Sequence, residues 1–262
     1  MNLKIIIGCL LLSLSSAAMS QSETVINQTD RAGKKQGHWI KKFPNGNVMY
    51  DGFFKDNYPT GEFRRYYDDK TLKSLLIFSN NGIEADATIY YPNGFVAAKG
   101  KYLNQLKEGI WQMFSVITSG CLICREEYSK NMRNGLSLKY YPDSTIAERI
   151  TYINDIRNGE WMQYYPNGSV SLKTRYVNGK VNGEFEAFFE NGKLEFAGQY
   201  KGDLREGIWR IYKKDGSLRF EIDYISGIAK NRVLEIYESN YIDSLERNRV
   251  KIPDPEKTGE LW

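Results

Sequence analysis

Gly159-Glu160-Trp161-Met162-Gln163-Tyr164-Tyr165-Pro166-Asn167-Gly168 is the stretch that decides the fold, because degraded copies of it recur along the chain. Counted from the leading small residue, the copies start at Gly37, Gly61, Ala85, Gly109, Gly135, Gly159, Gly183 and Gly207. Each step is 24 residues, except that Gly109 to Gly135 spans 26. Eight repeats thus fill residues 37–230. Their third residue is Trp39, Phe63, Ala87, Trp111, Ser137, Trp161, Phe185 or Trp209, so four of the five Trp share one phase. An Asn-Gly or relative follows at Asn45-Gly46, Asn93-Gly94, Asn167-Gly168, Asn191-Gly192 and Asp215-Gly216.

An Asn-Gly pair between two apolar-rich runs predicts a β-hairpin with a two-residue type I′ turn, which needs positive φ at both central residues. That turn would set Tyr165 opposite Val170, Gln163 opposite Leu172, Trp161 opposite Thr174 and Gly159 opposite Tyr176. Directly opposed residues share a face, so the large side chains gather on one side. The aromatic opposite the leading small residue recurs as Phe54, Phe78, Tyr102, Tyr128, Tyr152, Tyr176, Tyr200 and Tyr224. Its expected place is over the bare glycine backbone. The fold class is therefore all-β, an elongated single-sheet array of about eight hairpins spanning roughly 75–80 Å at about 4.8 Å per strand. Such an array needs end caps. Residues 21–36 are expected to supply a cap strand at Thr24-Val25-Ile26, and residues 231–262 a half-repeat strand, a short helix over 239–248 and a tail.

The pattern G-x-W/F-x-x-Y-Y-P-N-G at this period resembles the MORN repeat, in the bacterial variant form often labelled a YwqK-type antitoxin. The resemblance covers residues 37–230, about three quarters of the chain. Ala85 and Ala87 in the third repeat, Ser137 in the fifth and a rebuilt fourth turn depart from it. It implies an elongated scaffold or binding surface, and its label implies a neutraliser of a cognate toxin.

Composition agrees with a folded, non-enzymatic chain. At 262 residues and 41% hydrophobic, it has too much apolar material for disorder. Net charge is only +4, with signs interspersed, so no basic stripe calls for nucleic acid. One His and three Cys leave little for zinc or imidazole chemistry. No metal, cofactor or catalytic group is expected. Residues 1–20 read as a signal peptide: a positive start, an apolar run over 5–14, and Ala18-Met19-Ser20 as a cleavage site before Gln21. Ile6-Ile7-Gly8-Cys9 leaves lipidation at Cys9 open. The apolar run is too short to span a membrane, and no transmembrane segment follows. An exported product is expected, periplasmic, extracellular or peripheral on the envelope.

The face opposite the Trp side carries its own series. The sixth residue of the repeats is Lys42, Tyr66, Tyr90, Phe114, Tyr140, Tyr164, Phe188 or Tyr212. These seven aromatics, about 10 Å apart, form a ladder able to stack sugar rings or grip an extended peptide; the competing reading is a second packed stripe. The expected partner is a protein or a glycan of the cell surface, with antitoxin or immunity-type inhibition as the alternative. Cys121-Leu122-Ile123-Cys124 lies in the two-residue insertion of the fourth repeat and is expected to form a disulfide, with free thiols, redox and metal roles as alternatives. Glu126-Glu127 and Asp68-Asp69 are not acid/base dyads, since adjacent strand residues point opposite ways. His38 has no nucleophile partner at a repeating position and reads as a surface residue.

Overall fold

Pro166 suits the turn at the hairpin tip. In the computed structural model, which describes residues 25–231, the Gly168 N–H donates to the Tyr165 carbonyl at 2.9 Å, and the Tyr165 N–H donates to the Ser169 carbonyl at 2.8 Å. Pro166 and Asn167 are thus the central residues of a type I turn, where the pyrrolidine ring fixes the φ the turn needs. Only Gly168 is left-handed, at φ 82°. The type I′ turn expected at Asn167-Gly168 is therefore replaced by a type I turn followed by a glycine bulge. The Asn167 side chain braces it by accepting from the Ser169 N–H at 2.9 Å.

This turn moves the register by one residue at the hairpin tip. Tyr164, not Tyr165, opposes Val170, and a bulge separates that pair from Gln163 opposite Leu172. Below the bulge the expected pairs hold: Trp161 with Thr174 and Gly159 with Tyr176. Two-residue turns with both φ positive do occur, at the other end of the strands, in the links between repeats. Asn154 and Asp155 (φ 48° and 65°) join Ile146–Ile153 to Ile156–Tyr164, and Asn178-Gly179 (φ 49° and 81°) lies in the next link.

Strands pair antiparallel in chain order, from Gln28–Thr29 against Lys35–Lys42 through to Leu218–Ile225 against Ile228–Ala229, with Lys180–Val181 and Gly183–Phe188 both pairing with Val170–Val177. The result is one open meander of 19 antiparallel strands, with no α-helix among the described residues. The N-terminal cap strand is Gln28–Thr29, a few residues later than the expected Thr24-Val25-Ile26; Trp39 fixes it by donating from Nε1 to the Gln28 carbonyl at 3.1 Å. The expected signal peptide and most of the C-terminal cap, from residue 232 on, lie outside the described residues.

The Trp side is the packed side. Trp111, Trp161 and Trp209 are buried among Phe, Tyr and Ile from neighbouring repeats. The leading glycines have a different role from the one expected. Gly37, Gly61, Gly109 and Gly207 sit at φ 63–69°, and a Cβ on any of them would meet nothing, so no aromatic covers them. At Gly61, Gly109 and Gly207 they allow the left-handed backbone of a bulge, which at Gly61 separates Gly52 opposite Phe63 from Phe53 opposite Thr60. The covered glycines are Gly52, Gly100 and Gly198. A Cβ there would stand 2.1 Å from Phe63, 2.2 Å from Trp111 and 2.2 Å from Trp209 respectively.

The residue facing the third position of the next repeat thus explains the two irregular repeats. Where the third residue shrinks to Ala87, Leu76 stands opposite it; where it is Ser137, Glu126 stands opposite and accepts from its hydroxyl at 3.2 Å. Volume lost on one strand returns on its neighbour.

Candidate functional site

Each ladder residue is positioned by the turn-end bulge. That register places an aliphatic side chain directly across: Leu72 from Tyr66, Val96 from Tyr90, Leu122 from Phe114, Ile146 from Tyr140. The series continues with Val170 across from Tyr164, Leu194 from Phe188 and Leu218 from Tyr212. Opposed residues share a face, so Val170 joins the ladder instead of the Trp side. Every one of the seven aromatics is half-buried. The stripe is therefore intermediate between the two expectations: its rungs are partly packed by their aliphatic partners, and each keeps a surface to solvent. Hydrophobic periodicity alone did not show the aliphatic partners; the signal was present as an unbroken Val/Leu/Ile at the twelfth residue of the regular repeats.

The seventh residue locks one rung to the next. The hydroxyl of Tyr67 donates to the Tyr90 carbonyl at 2.9 Å, that of Tyr91 to Phe114 at 3.1 Å, that of Tyr141 to Tyr164 at 2.7 Å and that of Tyr165 to Phe188 at 2.8 Å. Burial raises the Tyr165 phenol above its ordinary value, with Glu195 and Glu190 adding to the effect, so it remains a donor at neutral pH. Ladder carbonyls are thereby pinned at four of the repeat junctions.

Cations crown the packed side. Lys35 lies 4.7 Å from both the Trp39 and Phe54 rings, and Lys107 lies 4.6 Å from Trp111 and 4.7 Å from Tyr128. Arg133 sits 4.1 Å over Tyr152, and Arg205 is 5.3 Å from Trp209. These side chains, two residues before the leading glycine, use the ring faces that would otherwise be open to a ligand. The Trp side is occupied by its own packing.

The remaining candidates resolve individually. Cys121 and Cys124 are separate thiols, not the expected disulfide. Cys124 is buried on the Trp side, opposite Met113, while the Cys121 sulfur lies outside the strand, 3.7 Å from the Pro142 carbonyl. Residues i and i+3 straddling a strand start point apart, and the turn does not bend enough to join them. Glu126 and Glu127 diverge as expected: Glu126 is buried and accepts from Tyr128 at 2.6 Å, whereas Glu127 accepts the Leu136 N–H at 3.2 Å. Asp69 accepts the Thr71 N–H in a turn, and that bond holds its carboxyl below the ordinary value. His38 contacts Asp51 at 2.7 Å and stacks on Phe53. Among the described residues, no group of three or more His, Cys, Asp or Glu could hold a metal ion, and no helix is long and apolar enough to cross a membrane.

Comparison with known families matches five segments, residues 35–56, 133–154, 157–178, 181–201 and 205–226, to the family described as MORN repeat variant. A search of curated proteins returned no match. Each matched segment begins two residues before a leading glycine, at Lys35, Arg133, Arg157, Val181 or Arg205, and takes in the hairpin turn and the returning strand. The chain is thus a hairpin-repeat scaffold in which five of eight repeats are similar to the MORN repeat variant.

Proposed function

We propose that the chain is a non-catalytic exported scaffold that binds an extended partner, a protein or a cell-surface polymer, along the aromatic ladder. One observation carries the reading. Tyr66, Tyr90, Phe114, Tyr140, Tyr164, Phe188 and Tyr212 hold one phase, on one face, at half-burial, while the opposite face is filled by its own Trp, Tyr and cation contacts. A row of partly exposed rings is the chemistry of a recognition surface. The repeated positions supply no nucleophile, base or acid pair, which supports binding without turnover. The apolar run over residues 5–14 supports export.

The test is the double substitution Tyr140→Ala/Tyr164→Ala. A hot-spot Tyr contributes about 2 kcal/mol or more, so retention of the envelope-fraction partner should fall at least tenfold, with the thermal transition nearly unchanged. Unfolding of the double variant would show that the ladder is core and overturn the assignment. N-terminal analysis of the protein from its natural host should find Gln21 first; a lipid adduct on Cys9 would place it on a membrane instead.

A further inference from the structure

One side-chain row from the ladder, on the same face, the residue opposite the fourth position is cationic in four successive repeats: Lys99, Arg125, Arg149 and Lys173. Their cross-strand neighbours are Thr88, Gln112, Leu138 and Met162, with Glu186 only at the far end. From Thr88 to Lys173 the row thus holds four cations and no carboxylate. Among the described residues none of the four makes an ion pair, although Arg64, Lys101, Arg133, Lys139 and Arg210 nearby all do. Outside this window the same phase reads Asp51, Leu75, Ala197 and Glu221. Lys99 also borders a shallow depression with Asp86, Lys101, Ile110 and Gln112. Beside the cations run Tyr90, Phe114, Tyr140 and Tyr164, and the Tyr164 hydroxyl leans back over this row, 3.5 Å from the Met162 sulfur.

We infer that this window takes an extended proline-rich peptide with an acidic residue at every third position, laid along the array across the strands. The inference rests on the ladder being the binding face. Pitch selects the ligand: two strands advance about 9.6 Å, and one three-residue turn of polyproline II advances about 9.3 Å. Each peptide turn meets one repeat. Its three-fold symmetry sends one residue to the aromatic stripe, the next to the cations and the third to solvent. Proline on aromatic-lined surfaces is a recurring recognition mode, and a polyproline II chain lacks internal hydrogen bonds, so it can follow the twist of the sheet. The unpaired cations complement the acidic residues and speed encounter.

The experiment measures fluorescence anisotropy of labelled (Pro-Pro-Glu)5 with the full chain, against (Pro-Pro-Pro-Glu)4 and polygalacturonate. The expected result is saturable, salt-sensitive binding of the first peptide, at least tenfold weaker for the four-residue spacing. Arg125→Gln/Arg149→Gln should weaken it at least tenfold while leaving the thermal transition unchanged, since both guanidiniums are free of ion pairs. No binding, equal affinity for both spacings, indifference to the Arg variant, or preference for the uronate polymer would each overturn the inference. If the envelope partner is lost with Tyr140→Ala/Tyr164→Ala but retained with the Arg variant, the peptide assignment fails and the ladder reading stands. Retention by both double variants removes both.

Discussion

Trp111 lies against Gly100 with no room for a Cβ between them, whereas Ala87 faces Leu76 at the equivalent place. These are two solutions to one volume constraint. Trp111→Ala should cost about 3–5 kcal/mol by leaving a cavity, and Gly100→Leu should cost about 1–3 kcal/mol by overpacking. The double variant copies the Leu76–Ala87 pair, so chemical denaturation should show it more stable than the sum of the single changes by about 2 kcal/mol. Strict additivity would refute the pairing. Glu148 illustrates charge at the same scale. Burial pushes its carboxyl up, but Lys139 at 2.8 Å, with hydrogen bonds from Gln163 and Trp161, outweighs burial and leaves it below its ordinary value. A depressed folded value stabilises the protein above the unfolded carboxyl range, and that stability is lost as pH falls through the folded value. Acid titration of unfolding should therefore show a loss below about pH 4 that Glu148→Gln removes; an unchanged profile in the variant would exclude this ion pair as its source.

At the scale of the hairpin, two turn chemistries divide the work. The tips at 91–94 and 165–168 use Pro at the second turn position and Gly at the bulge, with the Asn side chain bonding two residues ahead; Phe189-Glu190-Asn191-Gly192 makes the same turn and bond without Pro. The links between repeats use pairs of left-handed residues such as Asp56-Asn57 and Asn154-Asp155. Left-handed backbone costs an L-residue about 1–2 kcal/mol, and Asn, Asp and Gly bear it best. Gly168→Ala should thus destabilise the sixth repeat by about 1 kcal/mol, read by denaturation, although nothing crowds its Cβ. Asn167→Ala should cost only the lost side-chain bond, because position 167 is not left-handed. Equal large losses at both positions would point instead to the type I′ turn that Asn-Gly suggests from sequence.

Among the described residues, the core is two clusters. One runs from Phe63 to Tyr128, the other from Ile150 to Ala229. The seam between them is polar: Glu126 takes hydrogen bonds from Tyr128 and Ser137, and Arg133 approaches Glu126 at 3.8 Å while pairing with Asp155. In a linear array, cooperativity depends on nearest-neighbour interfaces. Hydrogen exchange in increasing denaturant should therefore resolve two units, residues 37–128 and 146–229, opening at different free energies. Glu126→Leu/Ser137→Ala, copying Leu76–Ala87, should merge them; a single unit in the parent chain would contradict the seam.

The period, the hairpin as unit, the all-β class and the face that packs were legible in the amino-acid sequence. All four follow from local spacing: a 24-residue repeat with Trp and Tyr at fixed phases leaves one register below the tip. Tertiary structure decided what depends on contacts between strands. It chose the type I turn with a glycine bulge, which Pro166 suits and which recurs without Pro at Glu190-Asn191 and Lys214-Asp215, and that choice moved Val170 to the ladder side. The aromatic cover was assigned to Gly52, Gly100 and Gly198 because bulges rotate the leading glycines away. Compensation of Ala87 by Leu76 and of Ser137 by Glu126 lies across strands, where period counting within one repeat does not look. The ladder residues were legible as a series, but their half-burial was not, because exposure is set by what the neighbouring strand places across from each ring.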